Sequence, residues 1–271
     1  MKKAPINKII SFSNVDGPGN RCAIFFQGCT MNCLYCHNPE TIAVCNDCGD
    51  CVKGCPTTAL KIHESKVMWD EKQCVQCDQC TKRCTKNSSC KIHWMSVEDV
   101  VAKVKQLRPF IQGVTCSGGE CMLYADFLLE LFKEIKKLGL TCLIDSNGTI
   151  DFERHKDLLM ECDGVMLDVK AVDADFHQWL TSHSPEIVFK NLRYLQEVDK
   201  LAEVRTVILP GFNKENHAVV RFVYQQLDPK IPYRLLQYRS YGVRKKTASI
   251  FVGEIDERDI EQLIQTNNKE L

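Results

Sequence analysis

From Ser96 onward, short apolar runs alternate with longer stretches in which apolar residues return every three or four positions, the spacings of buried strands and amphipathic helices. Ser96, with Asp99 three residues on, forms a capping box that opens a helix ending near Pro109. A strand is predicted over 114–116. A helix follows over 123–138, with Phe127, Leu128, Leu131, Phe132 and Ile135 on one side and Gly139 as its stop. The alternation continues with a strand over 140–144, a helix over 152–161, a strand over 165–169 and a helix over 185–197. A strand over 203–209 ends at Pro210-Gly211, and then come a helix over 216–227, a strand over 233–238 and a last helix over 255–265. An earlier apolar run over 22–26 reads as a buried strand ending at Gln27-Gly28. Counting that run, six apolar strands predict a parallel α/β sheet. Residues 37 to about 94 break the pattern, being polar, dense in cysteine and almost without periodicity. They read as an insert with too few large apolar residues to fold without metal.

The 271 residues are 44% hydrophobic, enough for one large domain, or one domain with a small insert. The 35 basic and 35 acidic residues balance to zero, which argues against a basic nucleic-acid footprint. No 18-residue apolar stretch offers a membrane span, and Met1-Lys2-Lys3-Ala4-Pro5 lacks the apolar core of a secretory signal. The expectation is a cytoplasmic protein that engages neither nucleic acid nor membrane.

The seventeen cysteines change the picture. Most stand in three groups: Cys29-x3-Cys33-x2-Cys36, Cys45-x2-Cys48-x2-Cys51-x3-Cys55-Pro56, and Cys74-x2-Cys77-x2-Cys80-x3-Cys84. An odd total at such tight spacing is poor material for disulfides, and thiolates on this scale imply a reducing, oxygen-poor compartment. Zinc suits Cys-x2-Cys pairs, but two runs spaced x2, x2, x3 fit paired cubane iron–sulfur clusters better. In such ferredoxin-type runs each loop sends its fourth cysteine to the other cluster. One [4Fe-4S] cluster then takes Cys45, Cys48, Cys51 and Cys84, and the other Cys55, Cys74, Cys77 and Cys80. Pro56 follows the first run, whereas Thr85 replaces the proline after the second. Cys90 is either a spare ligand or a small buried hydrophobe, and Cys22, Cys116, Cys121, Cys142 and Cys162 read as buried hydrophobes. The three-cysteine group implies a third cluster whose fourth iron is open to a substrate or cofactor.

The polar residues that stand out lie where strands are predicted to end, at the sheet edge where α/β active sites collect. Ser117-Gly118-Gly119-Glu120 follows one strand, and its glycine pair lets backbone pass close to a ligand. Asp145-Ser146-Asn147-Gly148 ends the next, and Met166-Leu167-Asp168-Val169-Lys170 the one after. Two carboxylates at one edge suit either general acid–base work or a cation site. Arg205 lies in an otherwise apolar strand and needs a charged partner.

The spacing of Cys29, Cys33 and Cys36, with Tyr35 before the last, resembles the radical S-adenosylmethionine (radical SAM) superfamily. There the open iron is chelated by the amino and carboxylate groups of the cofactor's methionine moiety. Asp16-Gly17-Pro18-Gly19-Asn20-Arg21, Phe25-Phe26-Gln27-Gly28-Cys29 and Cys36-His37-Asn38-Pro39-Glu40 narrow the resemblance to the activating enzymes of glycyl-radical enzymes, most closely the YjjW type. The resemblance implies a partial (β/α)6 barrel over 1–36 and 95–271, with a ferredoxin-like insert over 37–94 carrying two [4Fe-4S] clusters. It implies cofactor contacts from Gly118, Gly119, Glu120, Asp145, Asn147, Asp168, Lys170, Arg205 and Tyr238. It also implies a monovalent cation, Na+ or K+, at Asp145, Met166 and Asp168. The late segment Gln237-Tyr238-Arg239 departs from the family's Pro-Tyr-His, and Cys121 stands where a proline is usual. The implied reaction is reductive cleavage of S-adenosylmethionine, with hydrogen taken from a backbone glycine of a glycyl-radical enzyme and electrons supplied by flavodoxin or ferredoxin. The activase itself is expected to be a monomer. Two rival readings are a radical SAM maturase that modifies another protein, and an electron-transfer iron–sulfur protein. Maturases carry further cysteines toward the C-terminus, and this chain has none after Cys162.

Overall fold

The structure is a computed structural model and describes residues 2–255. The N-terminal part contains β1 (Lys3–Ser13) and β2 (Arg21–Phe26). Next come β3 (Ala43–Val44), β4 (Leu60–His63), β5 (Lys66–Trp69), α1 (Gln79–Arg83), β6 (Ser88–Ser89) and β7 (His93–Ser96). The body continues through α2 (Val97–Leu107), β8 (Gly113–Gly118), α3 (Ala125–Lys136), β9 (Thr141–Ser146), α4 (Lys156–Glu161), β10 (Gly164–Asp168) and α5 (Ala174–Thr181). It closes with α6 (Glu186–Glu197), β11 (Leu201–Ile208), α7 (Asn213–Gln226), β12 (Tyr233–Gln237) and α8 (Lys245–Ala248).

One sheet of eight strands organises the body, in the order β12-β11-β10-β9-β8-β2-β1-β7. The six strands from β12 to β2 are all parallel, as the apolar runs predict. β1 and β7 extend the sheet in antiparallel fashion. Neither was visible as a strand in the sequence, because only Ala4 and Ile6 of β1 are deeply buried apolar residues and Lys8 interrupts them. Lys8 instead lays its ammonium over the Phe25 ring, 4.7 Å from the centroid.

Strand residues alternate between two faces. Cys22, Ile24, Phe26, Cys116, Cys142, Ile144 and Val204 pack with the helices in one continuous core. The helical stripe Phe127, Leu128, Leu131, Phe132 and Ile135 is buried there as expected. The other face carries Thr115, Ser117, Asp145, Met166, Glu203 and Arg205, and so presents a polar interior. Parallel strands with helices on one side and a polar concave face are consistent with a partial barrel. The Ser96 capping box forms as read: Asp99 N–H donates to Ser96 Oγ at 3.2 Å, and Ser96 N–H to Asp99 Oδ2 at 2.9 Å. Helix α5 was missed, its apolar residues being too few to mark a stripe. The helix expected over 255–265 falls outside the described residues, apart from its first position. Among the described residues no helix is long and apolar enough to cross a membrane.

Between β2 and β7 the chain makes only small elements, a hairpin of β4 with β5 and a short parallel pair of β3 with β6. Gln27, fully buried, ties this region to the sheet: its amide donates to the carbonyls of Glu40 and Ala43, both at 2.6 Å.

Candidate active site

The Cys29–Cys36 loop leaves the C-terminal end of β2 and is held from three directions. Gly28 N–H and Cys29 N–H donate to the carbonyls of Thr41 and Ile42, both at 2.8 Å. Asn32 N–H and Leu34 N–H donate to Thr181 and Leu180, at the last turn of α5, at 2.8 and 2.9 Å. Arg244 donates to Asn32 Oδ1 and the Cys33 carbonyl, both at 2.7 Å, and Thr247 Oγ1 to the Leu34 carbonyl at 2.6 Å. Sequence reasoning missed Leu180, Thr181, Arg244 and Thr247, because a brace made through backbone carbonyls leaves no side-chain motif. Burial pushes the Cys29 thiol up to about 12, and those of Cys33 and Cys36 up to about 11. Three thiols so disposed resist ionising alone and suit a bound cationic group that would stabilise the thiolates.

The loop after β8 crosses beneath this one at backbone distance. Gly118 has φ +112°, and a Cβ there would meet Phe26 N at 2.4 Å. A Cβ on Gly119 would lie 2.0 Å from the Gly28 carbonyl oxygen, so no side chain is tolerated where the two loops touch. Glu120 is fully buried and turns its carboxylate into the β8–β9 junction. Oε1 accepts from Met122 N–H at 3.1 Å and Ser146 Oγ at 3.0 Å, and Oε2 from Asn147 N–H at 2.8 Å. Burial raises its pKa to about 7 despite those bonds. Asn147, so positioned, points its amide at the cysteine loop, 3.5 Å from Cys29 Sγ and 3.1 Å from Thr30 Oγ1.

The remaining strand-end residues form one charged floor, because register sets Asp145 beside Met166 and Asp168 beside Arg205. Asp145 Oδ2 accepts from Ser117 Oγ at 2.8 Å, and Oδ1 lies 3.4 Å from Arg205 NH1. Arg205 also donates to Glu203 at 2.5 Å and lies 2.9 Å from Met166 Sδ. Glu203 in turn meets Arg234 at 2.6 Å. Glu203 went unnamed in the sequence, although its place two residues before Arg205, on the same strand face, was a usable signal. Burial pushes Asp145 up to about 6, with Arg205 opposing and Asp168 adding to the rise. Lys170 Nζ pairs with Asp168 Oδ2 at 2.8 Å and sits 5.8 Å from the Tyr35 ring centroid. Burial works against the Lys170 charge, but Asp168 and its neighbours hold its pKa well above the ordinary value. Tyr238, beyond β12, lies with its ring 6.3 Å from that of His37, and its hydroxyl is buried without a hydrogen-bond partner among the described residues.

A cysteine loop above the C-terminal edge of a parallel sheet, facing buried charges, accords with the comparison to known proteins. The sequence profile of the radical SAM superfamily matches residues 23–223. The chain belongs to that superfamily. This radical SAM protein is also similar to a Haemophilus influenzae protein classed as a glycyl-radical enzyme activating enzyme, 29% identical over 279 residues, 93% of this chain and 89% of that one. The pyruvate formate-lyase-activating enzyme of Staphylococcus epidermidis is 29% identical over 257 residues, covering 90% of this chain and 85% of its own length. Among solved structures, SuiB of Streptococcus suis bound to S-adenosylmethionine superposes with a TM-score of 0.50 at 16% identity, over 66% of this chain and 41% of SuiB, a likeness of fold.

In the cysteine-dense region of this radical SAM protein, one cavity is lined by Cys45, Cys48, Cys51 and Cys84 together with Cys80 and Cys90. A second is lined by Cys55, Cys74, Cys77 and Cys80. Among the described residues no three His, Cys, Asp or Glu side chains converge as closely as a single metal ion demands. A cubane cluster makes a different demand, since its thiolates bind separate irons around a finite body. Cys90, in the lining of the first cavity, has its sulfur 4.0 Å from Cys51 Sγ. A hydrogen bond from Cys90 lowers the Cys80 thiol to about 6. Cys22, Cys116, Cys121, Cys142 and Cys162 are buried in the core of the body.

Proposed function

We propose that this protein activates a glycyl-radical enzyme, and that its motif order makes it a YjjW-type activase. The observation that carries the reading is the three-cysteine loop, bonded to Asn147 and set at the same sheet edge as the Asp145–Arg205 and Asp168–Lys170 pairs. The length over which relatives with activase names align supports it. Held by these residues, a four-iron cluster would supply the one-electron chemistry for reductive cleavage of S-adenosylmethionine and, through it, for hydrogen removal from a backbone glycine of the partner.

The chain's own residues bind, orient and exclude water. Cys29, Cys33 and Cys36 would hold three irons and leave the fourth for the cofactor. Gly118 and Gly119 present backbone where a methionyl amino group approaches. Arg205 and Lys170 offer cations to a carboxylate, Arg205 aligned by the buried Glu203 and Lys170 by Asp168. Asp145, Asp168 and the Met166 carbonyl would hold a Na+ or K+ ion beside that carboxylate. Glu120 acts from behind, fixing Asn147. Tyr238 offers an aromatic face and a hydroxyl free to bond. No side chain is assigned as a general acid or base. The insert over 37–94 would hold two further [4Fe-4S] clusters, a reading supported by the presence of all four expected ligands in the lining of each cavity, and take electrons from flavodoxin or ferredoxin.

The test mixes the reconstituted protein with a candidate glycyl-radical enzyme, reductant and S-adenosylmethionine under anaerobic conditions, and records the electron paramagnetic resonance spectrum. A doublet that disappears when the partner glycine becomes alanine supports the reading. Cofactor cleavage with no radical on any glycyl-radical enzyme would transfer the chain to the maturases.

A further inference from the structure

The second cysteine cavity contains a charge that ligation does not use. Lys91 lines it beside Cys55, Cys74, Cys77 and Cys80. Its side chain is only 14% exposed, and Nζ donates to Asp78 Oδ1 at 2.5 Å and to Gln76 Oε1 at 3.2 Å. Asp78 lines the same cavity but is 56% exposed, so water screens its carboxylate more than it screens the ammonium, and Lys91 is the less screened of the two charges there. The first cavity has the opposite character. Among the described residues Asp50 lines it and no lysine or arginine does, and Asp50 Oδ2 lies 3.6 Å from Cys48 Sγ. Asp47 Oδ1 stands 4.0 Å from Cys45 Sγ.

Reduction adds one negative charge to a cluster. A neighbouring cation favours the reduced form and a neighbouring carboxylate disfavours it, and local charge is one of the determinants of cluster potential. We infer that this asymmetry orders the two clusters of the insert: the one held by Cys55, Cys74, Cys77 and Cys80 is reduced first and stores the electron, while the one held by Cys45, Cys48, Cys51 and Cys84 is the stronger reductant. The inference rests on the two-cluster reading of the insert. Lys91 is a positioning and tuning residue, not a ligand. Its hydrogen bonds also brace the 76–78 loop, so the test must separate charge from bracing.

The anaerobically reconstituted full chain is titrated with dithionite against redox mediators, and each cluster signal is followed by electron paramagnetic resonance. Lys91→Met is expected to lower the reduced-to-oxidised ratio of the first-reduced signal about tenfold at fixed potential, or ~59 mV for one electron. Asp78→Asn should raise it, and Gln76→Leu, which breaks a brace without changing charge, should leave it in place. Asp50→Asn should raise the later signal and not the first, which keeps a test in hand if Lys91→Met fails to load iron. Equal-sign shifts from Lys91→Met and Asp78→Asn would assign bracing alone and overturn the inference, as would an unmoved first signal in a fully loaded Lys91→Met protein. Wild-type protein that loads only the three-cysteine cluster would instead overturn the two-cluster reading itself.

Discussion

Replacing Glu120 by glutamine tests how burial and hydrogen bonding compete at the junction beneath the cysteine loop. The carboxyl is fully buried and its pKa rises from the ordinary 4.5 to about 7. Between those values the unfolded chain has released the proton while the fold retains it. The unfolded state therefore binds fewer protons, and stability falls as pH rises through the window. The raised pKa supplies stability that is fully present below pH 4.5 and lost once pH passes about 7. At ~1.36 kcal/mol per pH unit the full effect is about 3 kcal/mol. The amide of Glu120→Gln cannot ionise, so this dependence vanishes in the variant. That amide keeps an acceptor for Met122 and Ser146 but turns its NH2 toward the Asn147 N–H, a loss of about 1–3 kcal/mol at every pH. Urea denaturation of the apo protein in thiol-reducing buffer, followed by helical circular dichroism, gives both stabilities. On going from pH 4.5 to pH 8, the difference between the two proteins should move by about 3 kcal/mol in favour of the variant. A difference constant across that range would show that the three donors hold the carboxylate ionised throughout, and would refute the claim that burial wins.

Gly119→Ala should lose both cofactor binding and loop order, because its Cβ would lie 2.0 Å from the Gly28 carbonyl oxygen; limited proteolysis between β2 and β7 would read this, and wild-type resistance would refute it. Cys33→Ala should remove one cluster, taking iron from about twelve to about eight per chain, with all S-adenosylmethionine cleavage; an unchanged iron count would break the assignment of that loop. Asp168→Ala frees Lys170 from its 2.8 Å partner, and should weaken S-adenosylmethionine binding by about tenfold to a hundredfold without changing iron content. An Asp168→Ala protein that binds the cofactor normally but fails at hydrogen transfer would place that carboxylate at the partner interface.

The parallel strands, the α3 stripe and the Ser96 cap were legible because each is written in local periodicity or in a three-residue motif. β1 and β7 were not legible, since both carry few core residues: in β1 only Ala4 and Ile6 are deeply buried apolar residues, and Lys8 breaks the alternation, while β7 lies at the sheet edge. Helix α5 escaped for a similar reason, although its last turn carries the carbonyls that fasten Asn32 and Leu34. Among site residues, spacing and strand-end position marked Asp145, Asp168, Lys170 and Arg205. Glu203 went unnamed, and the partners that Ser117 and Glu203 take became apparent only once the strands were assembled in the order β11-β10-β9-β8.

By itself, then, the sequence determined which segments are the six parallel strands, where the cysteines group and which superfamily the chain resembles, because spacing is a property of the chain in one dimension. Only the tertiary structure decided what each charge faces. Arg205 needed a partner on any reading, but register supplied Asp145 across two strands and Glu203 beside it. Glu120 follows a glycine pair in the chain, yet packing turns it inward, where three donors and the absence of water set its charge. Lys91 is one lysine among many in the sequence, and gains its distinction by being buried in the lining of a four-cysteine cavity while its carboxylate partner Asp78 is the more exposed of the pair. Electrostatic meaning depends on distance and solvent, and neither is defined until the chain has closed on itself.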